Sequence, residues 1–237
     1  MSKSLVRKAG ERLRTWASVS GILTVSEDEY RDAILVLREW RSSFQAPLTK
    51  VVMGLRSAVT TAGITMGPGT VAQRLKREPQ IINKLRRIPK MSLDRMGDIA
   101  GCRAVLPTLD DVRKVQQRLE CAARKLTIRK VRDYVEEPQS SGYRAVHLET
   151  VRDDRCVEIQ LRTRLQHQWA EHVEELEAHL RCGLKDDQGD EDVLAYLRVL
   201  GNTFACLDQG REVTSAQRAE LNEAVRRLTE YLRRRVT

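Results

Sequence analysis

Val157-Glu158-Ile159-Gln160-Leu161-Arg162-Thr163 alternates apolar and polar side chains with a period of two, the pattern of a β-strand. Val157, Ile159 and Leu161 then face a core, while Glu158, Gln160 and Arg162 share the opposite face. A carboxylate, an amide and a guanidinium in one row are costly to bury without partners. One reading is the floor of a polar cleft, with a carboxylate for a metal or a proton and an arginine for a phosphate. The other is the solvated face of an amphipathic strand, which half-buried strands commonly show.

Upstream, residues 143–151 read as a second strand, joined to the first through Arg152-Asp153-Asp154-Arg155 as an antiparallel hairpin. Residues 136–142 form a loop by their turn chemistry, and 128–135 a third strand. Leu109, Val112, Val115, Leu119, Ala122 and Leu126 mark an amphipathic helix. Residues 95–106 are apolar and contain glycine, as a buried strand would. The run 71–90 is dense in cations, with Arg74, Lys76, Lys84 and Arg86 among them, and on its own reads as a basic helix face in water.

Toward the N-terminus, Ser26-Glu27-Asp28-Glu29 is a capping box that opens a helix through Phe44, ending or kinking before Pro47. A second helix spans about 48–60, and the basic residues 1–24 form a short helix or a mobile arm. After Thr163 a helix runs to about 181, followed by a polar break at 185–190. Two further helices carry Val193 to Phe204 and Leu221 to Leu232. Strands in the middle with helices on both sides predict an α/β or α+β domain, organised as a helical region 1–62, a core 63–182 and C-terminal helices 183–237.

Lys and Arg outnumber Asp and Glu, 42 to 33, a net charge of +9 that favours an anionic partner such as a polyphosphate or a nucleic acid. Five cysteines with no C-x-x-C pair predict buried free thiols in a reducing compartment, and the histidines lack zinc-site spacing. No apolar run is long enough for a bilayer, and Met1 to Arg7 lacks a signal-peptide core, so the expectation is a soluble cytoplasmic protein with no membrane partner.

Asp98-Ile99-Ala100-Gly101-Cys102-Arg103, Arg132-Asp133-Tyr134, Gly142-Tyr143-Arg144-Ala145-Val146-His147, and the opening heptapeptide followed by Trp169-Ala170 occur in an order and spacing that resembles the synthetase domain of the RelA/SpoT alarmone synthetases, in its small single-domain form. The likeness covers about residues 71–175. It implies a nucleotidyltransferase-like mixed β-sheet flanked by helices. It also implies a Mg²⁺-dependent pyrophosphokinase that moves the β,γ-pyrophosphate of ATP to a ribose 3′-hydroxyl and releases AMP.

By the same resemblance, Asp98 and Glu158 are the catalytic carboxylates and the metal ligands, Glu158 also accepting the proton of the attacking hydroxyl. Arg74, Lys76, Lys84 and Arg103 match the ATP side. Tyr143 matches the aromatic residue that stacks on the acceptor's base, and His147, Arg144, Gln160 and Arg162 match its surroundings. Asp98 and Arg103 differ by an odd number of residues, so one regular strand would put them on opposite faces. A bulge at Gly101, or Asp98 lying just before the strand, reconciles the two.

Two departures from the family pattern bear on the acceptor. Gln139 stands where relatives commonly carry a lysine, and 171–177 lacks their Tyr-Lys pair. The segment Leu161 to Ala170 is most similar to the toxic small synthetases of toxin–antitoxin and phage-defence systems. That likeness implies transfer to the 3′ CCA end of tRNA, with the N-terminal cations and Arg233-Arg234-Arg235 available to an RNA backbone, and an antitoxin on a separate chain. The competing expectations are an alarmone synthetase using GDP, GTP or adenosine nucleotides, and a non-catalytic nucleotide- or RNA-binding module.

Overall fold

The strand centred on Ile159 is the middle of a mixed sheet. Five strands, β1 (Val71–Leu75), β2 (Ala100–Leu106), β3 (Thr127–Asp133), β4 (Val146–Arg152) and β5 (Arg155–Thr163), lie in the order β1-β2-β5-β4-β3. The β2–β5 pair is parallel and the other pairs are antiparallel. The computed structural model describes residues 1–16, 25–121, 126–180, 183–184 and 189–236.

The period-two pattern does what it predicts. Val157, Ile159 and Leu161 are fully buried, as are Ala100, Ala104 and Leu106 of β2 and Val146 and Leu148 of β4. This face is covered by α1 (Lys3–Thr15), α2 (Glu27–Ser42), α3 (Gln45–Thr61), α4 (Glu78–Arg87) and α5 (Leu109–Cys121), whose apolar stripes join the sheet in one core. Helices α1, α2 and α3 therefore pack into the core of the sheet. The helix reading of the basic N-terminal stretch holds for α1, which buries Val6, Ala9 and Leu13; residues 17–24 lie outside the described ones. The capping box at Ser26 and Glu29 is formed on both sides. Pro47 sits inside the first turn of α3, where its missing N–H removes no helical hydrogen bond.

Two features depart from the sequence pattern. Val71–Leu75, read within a basic helix face, is an edge strand: Gln73 and Arg74 are both exposed, so no alternation marks it. Cys121 is exposed at the end of α5 where a buried thiol was expected, while Cys102 and Cys206 are buried and Cys156 is partly so; Cys182 lies outside the described residues. The β4–β5 turn places Asp153 at φ 48° and Asp154 at φ 59°, the two positive values that a two-residue hairpin matching strand twist requires.

A second, smaller core lies beyond the sheet. Trp169, Val173 and Leu180 of α6 (Arg164–Leu180) pack with Val193, Leu194 and Leu197 of α7 (Glu191–Asp208) and Leu228 of α8 (Ser215–Val236). The packing thus groups α6 with the two C-terminal helices. Among the described residues no helix is long and apolar enough to cross a membrane.

Candidate active site

Register brings the site together before any side chain is considered. On the face of the sheet away from the core, Arg74 of β1 pairs with Gly101 of β2, and Gly101 with Glu158 of β5. One step along, Arg103 pairs with Gln160, and Gln160 with His147 of β4. These rows floor a cleft of about 560 Å³ lined by Arg74, Asp98, Arg103, Tyr143, His147, Glu158, Gln160 and Arg162, with Trp169, Val173 and Leu184 as an apolar wall. The polar row of β5 is a cleft floor and not a solvated face. Gly101 lies between Arg74 and Glu158 and puts no side chain into that space.

Asp98 dominates one half of the cleft. It precedes β2 by two residues, and the unbroken β2–β5 register shows that no bulge is needed to bring it and Arg103 to the same side. Its Oδ2 accepts from Lys76 Nζ at 2.8 Å and Lys84 Nζ at 2.7 Å. Burial pushes the Asp98 carboxyl up, but the two ammonium groups outweigh it and hold the pKa below the usual range. Its Oδ1 is buried and has no hydrogen-bond partner. Arg103, whose Nε is likewise buried and unpartnered, has its pKa lowered by burial and by Arg162 nearby.

The other half is a closed ring of hydrogen bonds. His147 Nδ1 lies 3.0 Å from Glu158 Oε1, and Gln160 Nε2 donates to Glu158 Oε2 at 2.7 Å. Arg162 donates to Gln160 Oε1 at 2.7 Å and to the Tyr143 hydroxyl at 2.8 Å. That hydroxyl lies 2.6 Å from His147 Nε2, which closes the ring. The imidazole thus bridges the Tyr143 hydroxyl and the Glu158 carboxylate, and the Tyr143 oxygen accepts from Arg162. Burial raises the Glu158 pKa and Asp98 adds to the rise, but the bonds from His147 and Gln160 bring it below the ordinary value. Glu158 is ionised at neutral pH.

Eight of the expected site residues line this one cleft. Lys76 and Lys84 reach it through Asp98. Arg144 turns away: it donates to Gly142 O and to Asn202 Oδ1 of α7, each at 3.0 Å. The contribution of α7 was missed in the sequence; its one signal is Gly201, an isolated glycine in a helical pattern.

The chemistry of these donors fits a divalent cation. Two ionised carboxylates share the cleft and repel each other, and Asp98 Oδ1 is an acceptor without a donor. Mg²⁺ takes one or two carboxylates and fills its shell with water and phosphate oxygens. Asp98 and Glu158 would hold it. Among the described residues no group of three or more His, Cys, Asp or Glu side chains gathers as an all-protein cage.

Comparison with known proteins agrees with this picture. Residues 73–182 match the family model described as a region found in RelA / SpoT proteins. GTP pyrophosphokinase YjbM of Bacillus subtilis is 37% identical over 110 residues, which cover 42% of this chain and 52% of that protein. YwaC of the same organism, also named a GTP pyrophosphokinase, is 35% identical over 80 residues, 32% of this chain and 38% of that one. The chain thus spans about half the length, or less, of the curated relatives it matches. Among solved structures, small alarmone synthetase 1 from Bacillus subtilis bound to its product pppGpp superposes with a TM-score of 0.60 at 25% identity, covering 73% of this chain and 94% of that one. The nucleotidyltransferase-like mixed sheet expected from the sequence is the fold of such structures.

Proposed function

We propose that this chain, whose residues 73–182 match the RelA/SpoT region model, is a Mg²⁺-dependent pyrophosphokinase that transfers the β,γ-pyrophosphate of ATP to the 3′-hydroxyl of a guanosine nucleotide. The observation that carries the reading is the hydrogen-bonded ring that keeps Glu158 ionised in the same cleft as the buried, unpartnered Oδ1 of Asp98. In this reaction the acceptor's 3′-oxygen bonds to the β-phosphorus, the bond from that phosphorus to the α–β bridging oxygen breaks, and AMP leaves with the electron pair. Mg²⁺ held by Asp98 and Glu158 would supply neutralisation of the polyphosphate charge.

Arg74 and Arg103 present planar donors to the phosphates, while Lys76 and Lys84 hold the Asp98 carboxylate in place. Glu158 takes the proton of the hydroxyl, oriented by His147 and Gln160. Its depressed pKa makes it a weak base that is fully ionised, which suits a loose phosphoryl transition state that asks little of the base until the new bond has formed. Trp169, Val173 and Leu184 give the acceptor's base an apolar wall beside Tyr143. The guanosine acceptor is brought from the names of the relatives: YjbM is a GTP pyrophosphokinase, and the matched synthetase holds pppGpp.

A second reading, the 3′-terminal adenosine of tRNA, is favoured by one observation. The acceptor loop puts neutral Gln139 into the cleft, which Glu174 also lines, so neither residue offers an ammonium group to a free 5′-triphosphate. That reading brings with it the toxic subtype and a separate antitoxin. The test is transfer of label from γ-labelled ATP to GDP, GTP, ATP and tRNA in parallel. Label in guanosine nucleotides alone supports the first reading and label in tRNA alone the second. Label in none, with ATP bound, leaves a nucleotide-binding module and sinks the pyrophosphokinase.

A further inference from the structure

Five contacts run from α7 to the acceptor half of the cleft. Leu197 O accepts from Trp169 Nε1 at 2.9 Å in a buried position. Gly201 lies against the backbone of Gly142: a Cβ on Gly201 would stand 2.6 Å from Gly142 O, closer than real Cβ atoms come. A Cβ on Gly142, which has φ +91°, would stand 3.0 Å from Arg198 Cα. Asn202 Oδ1 and Gly142 O both accept from Arg144, so one guanidinium ties the loop to the helix. Asp208 Oδ2 accepts from the Thr163 hydroxyl at 2.6 Å, at the junction of β5 and α6.

Gly142 precedes Tyr143, and Trp169 carries the wall that Tyr143 meets at 5.8 Å between ring centroids. The helix therefore touches the backbone of Gly142, just before one cleft aromatic, and the indole N–H of the other, yet neither Gly201 nor Asn202 lines the cleft. We propose that Gly201 and Asn202 are positioning residues: α7 clamps the acceptor loop and so sets the affinity for the acceptor, while leaving the ATP half untouched. Glycine at 201 allows the helix to approach the loop backbone, and the Arg144–Asn202 bond fixes how far along it the loop docks. The division into acceptor and ATP halves rests on the proposed reaction; the clamp itself does not.

The experiment compares Gly201→Ala and Asn202→Ala with Gly10→Ala. A Cβ on Gly10 would meet Leu93 Cβ at 2.7 Å, an equally tight contact in the α1 packing far from the loop. Hydrogen–deuterium exchange of amides 139–145 should accelerate in Gly201→Ala and Asn202→Ala and stay at the wild-type rate in Gly10→Ala. In transfer assays the acceptor KM should rise about tenfold in Gly201→Ala, short of the about 100-fold that a misplacement of about 1 Å can cost. The ATP KM should stay within about twofold, and Asn202→Asp, which keeps an acceptor for Arg144, should restore the acceptor KM. Unchanged exchange in a folded Gly201→Ala overturns the clamp even where transfer is robust, and so does an equal rise in both KM values. A wild type that binds ATP but transfers nothing overturns the reaction instead, and the exchange measurement still decides the clamp.

Discussion

The two halves of the cleft are built by different means. The Asp98 half is charge on charge: Lys76 and Lys84 meet one carboxylate oxygen, with Arg74 and Arg103 on neighbouring strands. Its residues lie within 74–103 and rest on the main core. The Tyr143 half is a ring of hydrogen bonds among side chains of β4, β5 and the loop before β4, backed by the second core and by α7. The first half grips through point charges that tolerate small displacements. The second depends on angles and on distant packing, so the halves should fail differently.

Glu158→Gln should have the largest effect. It removes the proposed base and metal ligand while keeping the shape of the ring, so transfer should fall about 10³-fold, within the range found for general bases. ATP affinity, measured by equilibrium dialysis, should stay within about threefold; an equal loss in both would erase the distinction between the halves. Asp98→Asn comes next, with a loss of transfer of about 100-fold, the scale of one electrostatic partner. It also leaves two ammonium groups facing a neutral amide, so here ATP binding and thermal stability should change together, the latter by about 1 kcal/mol. Tyr143→Phe breaks two links of the ring and keeps the aromatic body. Its expected cost is about 1 kcal/mol of stability and a several-fold rise in acceptor KM, read by denaturant melts and initial rates. A variant that changed ATP KM as much would show that the ring serves both halves.

The same contrast explains what the sequence could reveal. Glu158, Gln160 and Arg162 were legible because strand alternation is local, whereas Asp98 was singled out only through the family resemblance, its odd spacing from Arg103 leaving its face open. The Ser26 cap and the Asp153-Asp154 turn are likewise short-range. Strand β1 was hidden because an edge strand with two exposed polar residues in succession carries no alternation. Arg144 shows the limit from the other side: its place in the motif suggested the acceptor, but its guanidinium is taken by Asn202, 58 residues away. Ring closure and the α7 clamp depend on such pairings, which no periodicity encodes.

The smallest expected effect, and one that tests the contrast from a different side, is pH-dependent stability. Asp98 and Glu158 have folded-state pKa values below the ordinary range, so the unfolded chain binds their protons more readily. The stability they contribute is complete above about pH 4 to 5 and is lost only as pH falls through the depressed folded values. His167 also has a lowered pKa, from burial and from Arg103 and Arg162, opposed by Glu171 and Glu174. Its Nδ1 is buried without a partner. The unfolded chain again takes the proton first, so this contribution is present above about pH 6.5 and declines below it. Between pH 7.5 and 5.5 the carboxylates should therefore add no slope, and His167 should lower the urea midpoint slightly as pH falls. His167→Gln should flatten that decline. A midpoint that drops as steeply in the variant would mean that the acid sensitivity originates outside the Arg103 side of the cleft.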